Sequence, residues 1–386
     1  MKNINKNWKV EKIEWARLTG IRPRPAGCNA RLGVHGCEVP IDIVRITIDG
    51  IQGFGWSRIT KESAEKLIGL TVGDLFTDGG RVKENYYSVE FPLLDWIGQA
   101  TTMPVYEIIS GLKTSNYSVP CYDTSLYFDD LHLESDQDAV KLIQSQALEG
   151  LRKGHRHFKI KVGRGAMHMP LEEGKNRDIS IIKGVREVVG PDSKIMIDAN
   201  NGYNLNLTKE VLAATADAKL TWIEEPFHED PEYLKDLKLW LDKQNLNIMV
   251  VDGEGDASLN LVGWAKEGLI DAIQYDIRSY GFHKWLELGA ELDQVNIKTA
   301  PHNYGGSYGN FVLGHLAPNI NGFLLIEWDE MNIHGIDDTA YRINAGKVSI
   351  PNLPGFGLKL DDSYFLKVVE SNGWSVKMNT KETLPK

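Results

Sequence analysis

The chain has 386 residues, 42% of them hydrophobic and 25% charged, which is ample material for one large domain with an appendage or for two domains with real cores. Acidic residues outnumber basic ones by 53 to 43, and the formal net charge of −10 argues against general binding to a nucleic-acid backbone while leaving room for a small carboxylate in a locally basic or metal-loaded pocket. The start, MKNINKNWKVEKIEW, lacks the apolar run of a signal peptide and no later stretch approaches the roughly twenty apolar residues of a membrane span, so the expected setting is the cytoplasm, without a membrane partner.

The first 118 residues predict a small α+β domain, with strands in KVEKIEWARL and DIVRITIDG, then GFGWSRIT, then helix through FPLLDWIGQATTMPVYEIISGL. Between the first two strands, IRPRPAGCNARLGVHGCE (Ile21 to Glu38) reads as a basic loop carrying Arg22, Arg24, Arg31 and His35. Its two cysteines, with Cys121 the third of the chain, form no even-numbered framework and read as free thiols of a reducing compartment.

From about Val119 the rhythm changes. Short β-rich runs alternate with segments whose apolar residues recur at three and four positions, such as NRDISIIKGVREVVG and PEYLKDLKLWLDK. The runs are VPCYDTSLYF, HRHFKIKV, KIMIDAN, LTWIEEP, NIMVVDGE, IDAIQYD, NIKTAPH and GFLLIE. Eight such units predict an α/β fold, a (β/α)8 barrel over 119–345, preceded by the α+β domain of 1–118. A tail over 346–386, containing PNLPGFGLKLDD, returns to that first domain. A doubly wound sheet is the alternative, but no G-x-G-x-x-G follows the first run.

The second run poses a question. Strand alternation sends Phe158 and Ile160 to one side and Lys159 and Lys161 to the other, and that side faces either water or the inside of the barrel. The later runs decide it. Asp198 and Asn200 close the third run on a shared face, Glu224 and Glu225 the fourth, Glu254 the fifth, Asp276 the sixth, His302 the seventh and Glu327 the eighth. Any one of these acids is unremarkable at a water-facing strand end, but six successive ends coincide with the place where a barrel builds its active site. Three converging carboxylates, Asp198, Glu224 and Glu254, need a cation, and hard oxygen donors with room for water and substrate select Mg2+, one per site. Lys159 and Lys161 are then expected to lower each other's proton affinity, leaving one as a base near neutral pH. Across the mouth, Asp276 would orient His302 as a second base.

Taken together, KIK, DAN, EEP, the D-G-E of the fifth run, FPLLDWIGQATTMPVYEIISG and PGFGL resemble the mandelate racemase subgroup of the enolase superfamily. In that superfamily a Lys or His base works with Mg2+ on an ene-diolate, which is its established chemistry. The resemblance implies Asp198, Glu224 and Glu254 as metal ligands, Lys161 as base, and Lys159 at the substrate carboxylate. It further implies the Asp276–His302 dyad on the opposite face, Glu327 on the developing enediolate, and Asn200 against substrate near the metal. Glu254 is preferred to Asp252 and Asp256 because it follows glycine, and Glu225 is assigned a supporting place. The basic segment from Ile21 takes the position of a closing loop, with Arg24 and His35 as its substrate contacts, and Trp56 lies near a second specificity loop. The implied reaction is dehydration of a sugar acid, a hexonate, pentonate or hexarate, to a 2-keto-3-deoxy acid. The alternatives are a racemase or epimerase, a cycloisomerase, and a sugar-acid-binding protein without turnover. A homo-oligomer is expected.

Overall fold

Alternation along the first strand buries Val10, Ile13, Ala16 and Leu18 and begins the amino-terminal cap. Strand β1 (Val10–Ala26) pairs antiparallel with β2 (Gly36–Ile48), and β2 with β3 (Ile51–Trp56). The structure is a computed structural model and describes residues 4–114, 117–255 and 257–378, so Asp256 lies outside the described residues. Helix α1 (Glu90–Thr101) covers the sheet and is buried from Glu90 to Gly98. It packs so closely on the returning chain that a Cβ on Gly98 would sit 2.3 Å from the Cα of Gly355, which explains glycine at both places.

Eight strands form the barrel: β4 (Tyr117–Leu126), β5 (Phe158–Lys161), β6 (Ile195–Asp198), β7 (Trp222–Glu224), β8 (Met249–Asp252), β9 (Ala272–Ile273), β10 (Lys298–Thr299) and β11 (Ile326–Trp328). Neighbours from β4 to β10 pair in parallel, β11 pairs parallel with β4, and a bridge from Thr299 to Phe323 completes the ring. Helices α2 (Asp136–Arg152), α3 (Leu171–Val189), α4 (Leu205–Ala214), α5 (Pro231–Gln244), α6 (Leu261–Lys266), α7 (Phe282–Gln294) and α8 (Tyr308–Leu316) alternate with the strands. Local chemistry starts several of them: the Ser135, Asn204 and Asp230 side chains accept backbone N–H groups, and Pro231 follows Asp230 at the first helical position. Inside the ring, Tyr122, Met196, Trp222, Val251, Ala272, Ala300 and Leu325 form a separate apolar plug below the mouth.

Two features dock the cap. Strands β12 (Asn332–Ile333) and Trp374–Lys377 both add to β1, while Lys347–Ile350 pairs with β4. The Glu90 carboxylate accepts from Phe282 N (2.7 Å) and His283 N (3.1 Å) at the start of α7, and bonds His283 Nδ1 at 2.7 Å. No helix among the described residues is long and apolar enough to cross a membrane.

The segment from Ile21 differs from the expected loop. Pairing from Ile21–Glu38 to Ala26–Gly36 makes half of it the extended end of the β1–β2 hairpin, leaving residues 27–35 as the loop. That loop is fastened to the barrel through the Cys28–Phe128 bridge and a hydrogen bond from Gly27 N to Asp129 (2.6 Å).

Candidate active site

Strand register assembles the site. Lys161, Asp198 and Glu224 are directly paired across β5, β6 and β7, so the three side chains stand side by side at the mouth. Lys159 and Lys161 point inward, at 0% and 4% exposure, which excludes the water-facing reading of the second run. One carboxylate oxygen from each of Asp198, Glu224 and Glu254 lies within 4.8 Å of the others. Lys159 Nζ contacts Glu224 (2.5 Å), Glu327 (2.8 Å) and Asp198 (3.5 Å), and Lys161 bonds Asp198. On the far side His302 Nδ1 meets Asp276 (3.1 Å) and Nε2 meets Glu254 (2.8 Å). Asp276 also accepts the backbone N–H groups of Arg278 and Ser279, which fixes its orientation.

The second rank of contacts escapes the motifs. Glu327 accepts from Thr124 (2.7 Å) and from Asn303 N (2.8 Å), and Glu224 from Gln274 (2.9 Å) and the Trp222 indole (3.1 Å). Gln274 was within reach of sequence reasoning, since it lies two residues before Asp276 on the same face of its run. Asn200 donates to Glu254 (2.9 Å) and Glu225 (3.1 Å) and so ties two acids together at the mouth.

Without a bound cation, the acids set the state of both lysines. Lys159 does lower the proton affinity of Lys161, but the acids overwhelm that repulsion. Burial opposes the charge of both amines, yet Glu224 and Glu327 hold Lys159 well above its ordinary value, and Asp198 holds Lys161 above its own. His302 behaves alike: burial opposes its charge, and Glu254, Glu327 and Asp276 raise it well above the usual range. Burial likewise opposes the charge of Asp276, but the hydrogen bond and charge of His302 hold it down to about 2.

The acids carry the opposite burden. Burial, then the charges of Asp198, Glu327 and Glu254 working against Lys159, pushes Glu224 up to about 8. Burial and the charges of Glu254 and Asp198 push Glu225 up to about 10. Six carboxyl groups (Asp198, Glu224, Glu225, Glu254, Asp276 and Glu327) face Lys159, Lys161 and His302, with the half-exposed Arg31 3.9 Å from Glu225 and Arg278 near Asp276 at the rim. An all-oxygen donor set with that surplus of negative charge fits a divalent hard cation such as Mg2+.

The substrate contacts expected on the cap divide. His35 sits over the mouth, its ring edge-on to Tyr127 (5.1 Å) and Tyr304 (5.5 Å), with Nδ1 bonded to Gly27 O. Arg24 does not join it. Its guanidinium donates to Glu149 (3.1 Å) and to Ser125 (3.0 and 2.6 Å), so it fastens the hairpin to α2 and β4, and the expected substrate contact is corrected to an anchor. The supporting acids are buried: Asp252 at 2% exposure, and Glu225 at 2% with φ +42, a left-handed conformation uncommon outside glycine. Trp56 lies beneath the guanidinium groups of Arg58 and Arg278.

Residues 143–364 match the family described as enolase C-terminal domain-like. The crystal structure of galacturonate dehydratase from Geobacillus sp., complexed with D-galacturonate and 5-keto-4-deoxy-D-galacturonate, is 52% identical, covers 96% of this chain and 100% of its own, and superposes with a TM-score of 0.93. A variant of galacturonate dehydratase from Geobacillus sp. complexed with Mg is 51% identical, with 98% and 99% covered and a TM-score of 0.95. Arabinonate dehydratase of Saccharolobus solfataricus is 26% identical over 285 residues, 72% of this chain and 70% of its own.

Proposed function

The chain belongs to the enolase superfamily, in its mandelate racemase subgroup, and from that premise we propose that it is a Mg2+-dependent hydro-lyase that dehydrates a hexuronate, D-galacturonate first. The observation that carries this reading is the placement of Lys161 and the Asp276–His302 dyad on either side of one buried carboxylate cluster. Similarity at 52% identity to a galacturonate dehydratase moves the substrate from the hexonates, pentonates and hexarates expected from sequence to a hexuronate.

Asp198, Glu224 and Glu254 would hold the metal. When bound there, Mg2+ supplies Lewis-acid stabilisation of the charge that develops on the substrate carboxylate and offsets the acids that otherwise keep Lys161 protonated. Lys159 lies where it can bind that carboxylate, and Glu327, fixed by Thr124 and Asn303, would hydrogen-bond the enediolate in its protonated form, the form that can donate. Lys161 takes the α proton on its nitrogen, leaving the electron pair of the C–H bond in the enediolate. As that pair forms the double bond to the β carbon, the C–O bond to the β-hydroxyl breaks, and His302 delivers the proton with which the oxygen leaves as water. In a hexuronate the α carbon is C5 and the β-hydroxyl is on C4, so tautomerisation of the enol gives a 5-keto-4-deoxy acid, the compound bound in the Geobacillus structure. This is the same chemistry as formation of a 2-keto-3-deoxy acid, numbered from the other end. Return of a proton to the opposite face would instead be epimerisation, and a tethered leaving group would make the reaction a cycloisomerisation.

Incubation with Mg2+ and D-galacturonate in D2O separates these outcomes. Dehydration yields the keto-deoxy acid, epimerisation yields inverted sugar acid with deuterium at C5, and a binding protein gives saturation without either. Absence of keto-deoxy acid from every hexuronate, hexonate and hexarate tried would overturn the proposal.

A further inference from the structure

Tyr304 stands two residues beyond His302 and shares with it a cleft of about 360 Å3, lined also by Asp276, Arg278 and Tyr280. Its ring is held from several directions. Tyr127 stacks at 5.2 Å, the Arg22 guanidinium lies 4.6 Å from the ring centroid, and His35 meets it edge-on. Lys161 in turn lies 5.5 Å from the centroid of Tyr127, so the Tyr127–Tyr304 stack spans the space between the two bases.

The Tyr304 hydroxyl is buried, and its proton has no acceptor among the described residues; the neighbouring Tyr127 phenol acts on it as a donor, which leaves the Tyr304 proton unplaced. Burial pushes this phenol up to about 12, so it remains a donor at neutral pH. Among the other buried tyrosines, Tyr203 bonds Asp178, Tyr308 bonds Phe54 O and Tyr341 bonds Phe356 O, whereas Tyr122, within the apolar plug and away from the cleft, shares the lack of an acceptor. A buried donor left unpaired is costly, and one rigidly held beside a reaction centre marks a place where a polar group of the substrate arrives.

We propose that Tyr304 is a substrate-contacting residue whose phenol donates a hydrogen bond to the departing β-hydroxyl of the sugar acid, on the side from which His302 delivers its proton. The inference rests on the dehydratase reading above. The hydrogen bond strengthens as negative charge builds on the leaving oxygen, whereas removal of the α proton on the Lys161 side does not depend on it.

Tyr304→Phe deletes only the hydroxyl and keeps the stack. With D-galacturonate and Mg2+, its kcat for dehydration is expected to fall about 10²-fold, the scale for losing one donor to a developing oxyanion. Deuterium incorporation at the α carbon of unreacted substrate in D2O should persist or rise. The melting temperature should fall little, because the hydroxyl donates to nothing in the free protein. An unchanged kcat overturns the inference, as does an equal loss of exchange and dehydration. A melting temperature lowered by several degrees does so too, since it would reveal a structural acceptor for the hydroxyl proton. A wild-type protein that neither exchanges nor dehydrates any sugar acid is a different result, and removes the underlying reaction itself.

Discussion

Two charged clusters, one fully and one largely buried, lie within a few residues of each other, and they solve the problem of burial in opposite ways. Behind the lysine strand, Arg164 is 0% exposed and pairs with Asp130 (2.6 Å) and Asp178 (2.7 Å) across the face of Phe128. Asp178 accepts further from Gly163 N and Tyr203. Arg177, 3.8 Å from Asp130, brings the cations there to two against two acids, and hydrogen bonds meet the remaining atoms. In front of the strand, the acids exceed the cations, and burial together with the neighbouring acids pushes Glu224 and Glu225 up to about 8 and 10. Arg164 Nη1 also donates to Lys161 O (3.3 Å), so the balanced cluster steadies the unbalanced one. Burial alone therefore says little about function; an unmet surplus of one sign does.

The largest expected effect falls in the unbalanced cluster. Lys161→Ala should lower dehydration by about 10³–10⁴-fold and abolish α-deuterium exchange, the range for loss of a positioned base. His302→Asn should lower dehydration comparably yet leave exchange measurable, if its place is at the leaving group. Steady-state assays paired with NMR in D2O would show both, and equal loss of exchange in the two variants would break the assignment of sides.

The balanced cluster should respond in stability instead. Arg164→Met leaves Asp178 without its cation and Asp130 with only Arg177, and should cost about 3–5 kcal/mol of unfolding free energy, read by denaturant titration. A loss below about 1 kcal/mol would mean that the pairing contributes no more than a surface ion pair.

Metal addition should touch only the front cluster. Mg2+ at a hundred times its Kd should stabilise the protein by about 2.7 kcal/mol through linkage, and EDTA should reverse both this gain and the activity. Arg164→Met should retain the same increment, because its charges are not ligands.

A buried acid outside both clusters extends the contrast to pH. Asp95 ties the cap to the returning chain by accepting from Phe54 N and Phe356 N, both at 3.0 Å, with no cation beside it. Burial pushes it up to about 7 despite those bonds. The folded state thus keeps this proton to higher pH than the unfolded chain does. Its contribution to stability is full below about 4 and declines between about 4 and 7, by at most about 1.4 kcal/mol per pH unit. Asp95→Asn should flatten that part of the stability profile, whatever its overall cost.

Most of this architecture was legible in the residues. The eight runs, the inward lysines and the carboxylates that close successive strands all follow from period-two alternation and the geometry of a barrel mouth. Three things were not legible. The segment from Ile21 looked like a loop because its prolines, arginines and glycines resemble turn chemistry, yet β2 draws half of it into a hairpin. Arg24 could not be told from a substrate contact because Glu149, its partner, lies 125 residues away. Tyr304 carries no motif, and only the packing of Tyr127, Arg22 and His35 around it reveals a hydroxyl proton without an acceptor. The charge on the two lysines depends on the acids of distant strands as well as on each other, which neighbours in sequence alone do not show.

Titration calorimetry of Mg2+ into the metal-stripped protein, repeated with Asp198→Asn, addresses the carboxylate cluster most directly. One ion per chain in the natural sequence, with binding weakened at least a hundredfold in the variant together with loss of dehydration, is the expected result. Unaltered Mg2+ affinity in the variant, or full turnover in the presence of excess EDTA, would contradict it.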